Sequence, residues 1–219
     1  MSATELLIFD LDGTLIDSSR DLVDSVNAMR VWMQLPALTD EIVHSYVGDG
    51  APTLVRRALP GLDPEEHERA LRYFLTYYRD HMLDATDLYP GVREALDRLH
   101  HAQVPMAVLT NKPVRFSVSL IEGLGLEMHF FRIYGGNSFE EKKPHPRGIE
   151  ALVAESGAAP ECTIMVGDSA VDVRTARNAG VQACGVTWGF QPETFAQAEP
   201  DFLIDTMGAL AERVLAQPA

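Results

Sequence analysis

Short apolar runs punctuate the chain, each ending in polar residues or glycine: LLIFD, VPMAVLTN, FFRIYGG, TIMVGDS, VQACGV and DFLI. Their length and their β-branched and aromatic content predict buried strands. Apolar residues recur at helical spacing between most of them. PGVREALDRLHH sets Pro90 near its first turn, where a missing N–H costs nothing. PRGIEALVAESG opens on Pro146 and closes on Gly157, and SAVDVRTARNAG is bounded by Ser169 and Gly180. Strands alternating with helices of this length predict an α/β fold: a Rossmann-like parallel sheet with helices on both faces.

Residues 17–85 break that rhythm, with helical patterns and no strand. DPEEHERALRYFLTYYRDHML places Asp63 as N-cap, Pro64 at the first helical position and Glu66 at the third, a capping-box arrangement. Leu71, Phe74, Leu75 and Tyr78 then repeat at helical spacing. TDEIVHSYVG and APTLVRRAL predict two shorter helices around the turn Gly48-Asp49-Gly50. The expected organisation is an α/β core of residues 1–16 and 86–219, interrupted by an inserted all-helical cap domain over 17–85.

The insertion begins just after the first strand, and that strand ends on two carboxylates, Asp10 and Asp12. Unpaired buried carboxylates are costly, and neighbouring ones repel. In an open parallel sheet, ligands bind beyond the C-terminal strand ends. The same edge should receive Thr110 and Asn111 after VPMAVLTN, Lys142 and Lys143 after FFRIYGG, and Asp168 after TIMVGDS. Asp172 follows one helical turn beyond Asp168 and also reads as a first-turn charge facing the helix dipole. A hard cation reconciles these acids. Mg²⁺ takes carboxylate, carbonyl and water oxygens, whereas zinc would want the His or Cys that are lacking here. An ionised carboxylate held beside such an ion is a competent nucleophile for phosphorus, with Lys143 neutralising the transferring group and Thr110 holding its oxygens.

Composition narrows the partners. The 219 residues carry 18 Lys and Arg against 32 Asp and Glu, a formal charge of −14, which argues against a nucleic-acid partner. An anionic substrate must then be drawn in by local cations. No run approaches the roughly 20 apolar residues of a membrane span. The N-terminal MSATELLIFD has no basic region of an export signal. Cys162 and Cys184 have neither disulfide-framework nor zinc spacing, which suits a reducing compartment. The expectation is a cytoplasmic monomer or homodimer acting on a small phosphorylated metabolite.

FDLDGTL, VLTN, KKPHP and VGDSAVD together resemble the four ordered motifs of the haloacid dehalogenase superfamily of aspartate-nucleophile phosphatases. The helical insertion resembles that superfamily's type 1 cap. The resemblance implies that Asp10 is nucleophile and Mg²⁺ ligand. It makes Asp12 the general acid/base, lending its backbone carbonyl to the metal. It further implies that Thr110 and Lys143 hold phosphate, that Asp168 is the third metal ligand, and that Asp172 supports the metal's waters. Lys143 is preferred to Lys142 because it lies in the KPxP pattern. A second aspartate at position 12 suits phosphate esters, whose leaving oxygen needs a proton, better than dehalogenation.

FDLDGTLIDS, TNKP and YVGDGAPTLVRRAL are similar to the phosphoglycolate phosphatase branch, in which a cap turn reaches the site ahead of a basic helix. That likeness marks Gly48, Gly50, Arg56 and Asn111 as candidate substrate contacts, with Asp49 a negative charge where an anion should approach. Consecutive Arg56 and Arg57 cannot share one helix face. Other small phosphates (pyrophosphate, sugar phosphates, nucleotides), a sugar phosphomutase on the same scaffold, and a binding protein that senses phosphometabolites stand as alternatives.

Overall fold

A computed structural model describes residues 3–216, so the outer ends of the expected core segments 1–16 and 86–219 lie outside the described residues. The chain opens with β1 (Leu6–Phe9) and a two-residue β2 (Ile16–Asp17). Four helices follow: α1 (Ser19–Trp32), α2 (Asp40–His44), α3 (Ala51–Ala58) and α4 (Pro64–His81). After β3 (Asp87–Leu88) come α5 (Val92–His101), β4 (Met106–Leu109), α6 (Val114–Gly123), β5 (Arg132–Tyr134) and α7 (Arg147–Ser156). The remainder is β6 (Thr163–Gly167), α8 (Ala170–Ala179), β7 (Gln182–Val186), β8 (Phe202–Ile204) and α9 (Met207–Leu215).

The large sheet has the order β5-β4-β1-β6-β7-β8 and is parallel throughout. Its inner strands β4, β1, β6 and β7 are buried on both faces, which is why they read as apolar runs, whereas the edge strands β5 and β8 are partly exposed. Alternation persists in space. Leu7 and Phe9 of β1 pack with Leu96, Leu99, Leu120 and Leu210 of α5, α6 and α9. Leu6 and Ile8 pack with Ile149, Leu152, Val173 and Ala176 of α7 and α8. Each such fully buried Leu, Ile, Val or Phe side chain stabilises the fold by about 1.5–3 kcal/mol.

The chain runs outward from β1 through β4 to β5, then returns to β6 on the other side. This reversal leaves a crevice beyond the C-terminal end of β1. Over that crevice stands the helical insert, joined to the core by a neck in which β2 and β3 pair antiparallel. Buried Asp21 of α1 ties the two connections together, accepting from the Ala85 and Thr86 amides at 3.0 and 2.9 Å and from Thr86 Oγ1 at 2.7 Å.

Within the insert, Asp63 caps α4 as expected, its side chain accepting from the Glu66 amide at 2.9 Å. Ala70, Phe74 and Tyr78 form the buried stripe, while Leu71 and Leu75 are half-buried beside it. Pro90 does not enter the first turn of α5. Gly91 takes the cap position at φ 77°, a left-handed conformation that breaks the helix before Val92. No helix among the described residues is long and apolar enough to cross a membrane.

Candidate active site

Immediately after β1 the chain enters a tight loop, with the amides of Leu15 and Ile16 returning to the Leu11 carbonyl and Gly13 N–H donating to Ile16. Gly13 sits at φ +80°, and a Cβ there would lie 2.2 Å from Asp168 Oδ2. Only glycine lets this loop carry Asp10 and Asp12 so close to the end of β6.

Asp10, Asp168 and Asp172 converge, each offering a carboxylate oxygen within 4.8 Å of the others. Lys143 Nζ lies between them, 2.8 Å from Asp10 Oδ1 and 2.7 Å from Asp172 Oδ1. Burial raises the Asp10 carboxyl to about 6, with Asp172 adding to the rise and Lys143 opposing it. Burial and the charges of Asp172 and Asp10 push Asp168 well above the usual carboxylate range. For Lys143, burial alone would lower the ammonium pKa. The paired carboxylates of Asp10 and Asp172 outweigh burial and raise it. One lysine is too little cation for three buried acids.

The donor set fits a hard divalent ion. It is entirely carboxylate oxygen, and Asp10 Oδ1 is buried with no hydrogen-bond donor, its contact with Lys143 being an ion pair outside hydrogen-bond geometry. Asp10 and Asp168 are the acids with coordination to spare. Asp168 accepts one hydrogen bond, from the Phe190 amide at 2.7 Å. Asp172 is engaged at both oxygens, at Oδ1 by Lys143 and at Oδ2 by the amide and hydroxyl of Ser169, completing the capping box of α8. Its first-turn place is seen as a cap bond to Ser169, and its other oxygen anchors the lysine that faces Asp10, a contact the sequence did not suggest.

Asp12 points elsewhere. Its carboxylate is held by Lys112 Nζ at 2.9 and 3.0 Å and by Ser18 Oγ at 2.5 Å, outside the three-acid group. Lys112 is buried, and its ammonium lies 4.6 Å from the centroid of Tyr78, a residue of α4 in the insert. The Asp12 and Tyr78 partners raise the lysine above its ordinary pKa despite burial. Burial in turn pushes the Tyr78 phenol up to about 12. Lys112 was not singled out from the sequence. Its local signals were its place in the TNKP run and two residues beyond Thr110, at a strand end.

Thr110, Asn111, Gly48 and Gly50 all line the same cleft. The turn before α3 rests on the core through successive carbonyls: Gln191 Nε2 donates to Val47 at 2.9 Å, Asn111 Nδ2 to Gly48 at 3.1 Å, and Lys142 Nζ to Asp49. Lys142 is exposed, as expected, yet bridges core and insert. A Cβ on Gly50, at φ +86°, would stand 2.9 Å from the Asn111 carbonyl, so the turn needs glycine to seat. The negative charge of Asp49 is not left alone as its position suggested, because Arg57 pairs with its carboxylate at 2.5 Å. Arg56 is exposed on α3 and is not among the residues lining the cleft.

A family model described as haloacid dehalogenase-like hydrolase matches residues 7–186. The chain is 44% identical over 187 residues to a phosphoglycolate phosphatase of Chromobacterium violaceum, covering 83% of this chain and 84% of that one. It is 38% identical over 223 residues to a phosphoglycolate phosphatase of Vibrio cholerae, covering 98% and 99%. Its fold superposes on the crystal structure of a predicted phosphoglycolate phosphatase from Haemophilus somnus with a TM-score of 0.92, at 32% identity over 97% of this chain and 99% of that one.

Proposed function

The chain belongs to the haloacid dehalogenase-like hydrolases and is a phosphatase, and from that premise we propose that it is a Mg²⁺-dependent 2-phosphoglycolate phosphatase working through an aspartyl-phosphate on Asp10. The observation that carries this reading is the division of the cleft into two ends. At one end Asp10, Asp168 and Lys143 suit a phosphoryl group; at the other Asp12 and Lys112 suit what leaves it. The phosphoglycolate phosphatases at 44 and 38% identity support the choice of substrate.

In this mechanism Asp10 attacks phosphorus, and Lys143 offsets the charge of the transferring group. Thr110 and backbone N–H groups hold the phosphoryl oxygens. Asp12 protonates the leaving oxygen, then deprotonates the water that cleaves the aspartyl-phosphate. Asp10, Asp168 and the Asp12 backbone carbonyl, with Asp172 behind them, would hold Mg²⁺, which would supply Lewis-acid neutralisation of the phosphoryl charge. The insert, residues 17–85, acts as a cap that excludes bulk water by seating its turn at residues 47–49 on Gln191, Asn111 and Lys142.

Phosphate release from 2-phosphoglycolate is expected to require Mg²⁺ and no activating bisphosphate. It should exceed release from pyrophosphate, hexose phosphates and nucleotides in kcat/KM. A hexose phosphate or nucleotide turned over faster would overturn the substrate while leaving the phosphatase intact. A requirement for bisphosphate would point to a mutase.

The metal has a readout in stability as well. A carboxyl raised from 3.8 to about 6 binds its proton more tightly folded than unfolded. Its stabilising contribution is therefore complete below about pH 4 and is lost as pH rises through about 6, a change of about 3 kcal/mol without metal. A cation that binds the ionised form offsets this loss. Added Mg²⁺ should thus raise Tm by several degrees at about pH 8 and far less at about pH 5, by differential scanning calorimetry. Equal shifts at both pH values would count against an ion at Asp10.

A further inference from the structure

Besides Lys143, the one cation lining the cleft among the described residues is Lys112. Lys143 already faces two carboxylates at the phosphoryl end. Lys112 sits at the other end, beside Asp12, with a side chain 5% exposed. The walls around it are apolar, contributed by Leu22, Leu54, Phe74, Tyr78 and Phe116. A carboxylate entering such surroundings without a cation faces a prohibitive desolvation cost. Arg56, the arginine expected to meet it, is at the surface, and its neighbour Arg57 is taken by Asp49.

We propose that Lys112 is the specificity-determining residue for the leaving group, its ammonium receiving the carboxylate of an anionic phosphomonoester within the apolar end of the cleft. The proposal rests on the 2-phosphoglycolate reading and names the group that selects that substrate. The geometry supplies what the exchange needs. The ammonium has three donors and is positioned by the Tyr78 ring from the insert. Asp12 keeps its hydrogen bond from Ser18 when Lys112 turns to the substrate, so neither carboxylate is left bare. Asp12, which holds Lys112 at 2.9 Å, follows Asp10 by two residues, and 2-phosphoglycolate has a single carbon between its ester oxygen and its carboxylate. A short substrate with its phosphoryl group at Asp10 is thus suited to carry its carboxylate to Lys112. Phosphomonoesters lacking the second anion leave Lys112 on Asp12.

The test compares 2-phosphoglycolate with 2-hydroxyethyl phosphate, which has the same chain length and no carboxylate, in wild type, Lys112→Met and Lys112→Arg. Wild type should prefer 2-phosphoglycolate by about 10- to 100-fold in kcat/KM, the worth of a charge-assisted hydrogen bond in a desolvated site. Lys112→Met should lose most of that preference, chiefly through KM for the anionic ester, while Lys112→Arg keeps most of it. If Lys112→Met fails to fold by circular dichroism, Lys112→Gln serves as the neutral variant. A neutral variant that keeps the wild-type ratio overturns the proposal and leaves the substrate reading standing, as does an arginine variant that loses the ratio as fully as methionine. A wild type with no preference overturns the substrate reading and this inference together.

Discussion

Asp10→Asn should abolish turnover and at the same time make the metal-free protein more stable at neutral pH. The activity loss follows from the chemistry: an amide oxygen is a poor nucleophile for phosphorus, and removing a group that forms the covalent intermediate costs at least about 10⁴-fold. The stability gain follows from the site. Asp10 is buried, its carboxyl is raised to about 6, and ionising it near Asp168 and Asp172 disfavours the fold. A neutral isostere removes that cost, up to about 3 kcal/mol, while Lys143 keeps its 2.7 Å contact with Asp172. The Mg²⁺-dependent rise in Tm should shrink in the same variant. An inactive protein that is also destabilised would mean that the substitution broke the fold. Near-wild-type turnover would remove Asp10 as nucleophile altogether.

How much of this was legible in the sequence depended on whether the signal was local. The four inner strands were visible because each is buried on both faces and so reads as an apolar run ending in polar residues, and the edge strands β5 and β8 because short apolar or aromatic stretches there still end in polar residues or glycine. The acids were visible because they sit at those ends. Lys112 was not, because its partner lies 100 residues away and no spacing rule links them. Asp49 looked like an obstacle for a similar reason: its neutralising partner, Arg57, is brought to it only by the fold of the turn onto α3. Helices α1 and α6 start without a side-chain cap. Ser18, at the start of α1, donates its hydroxyl to Asp12 and makes no side-chain cap, and α6 begins at Pro113 without one. At Ser18 the hydroxyl that would ordinarily cap the helix serves the site instead. The neck between insert and core followed the same rule. The change of pattern set the expected limits of the insert at 17 and 85, whereas Asp21, which accepts from the Ala85 and Thr86 amides, was hidden inside a helix.

Asp12→Asn should separate the two halves of the reaction. The substitution keeps an oxygen for Lys112 and Ser18 to bond, so the fold and the three-acid group are left in place, and the Mg²⁺-dependent Tm shift should persist. What it removes is a proton donor and acceptor at the leaving-group end. General catalysis of this kind contributes about 10² to 10⁴ in rate, and steady-state turnover of 2-phosphoglycolate should fall by that range. The alkoxide of glycolate leaves poorly without a proton, whereas 4-nitrophenolate needs none. Stopped-flow mixing with 4-nitrophenyl phosphate should therefore show a burst of nitrophenolate close to one per site, followed by slow turnover, because the water that clears Asp10 no longer meets a base. With an alkyl ester the first turnover itself should be slow. Equal losses in the first turnover for aryl and alkyl esters would show that residue 12 positions the phosphoryl group and moves no proton. The Lys112–Asp12 pair would then be a brace across the cleft, and leaving-group chemistry would have to be sought from another residue of the cleft.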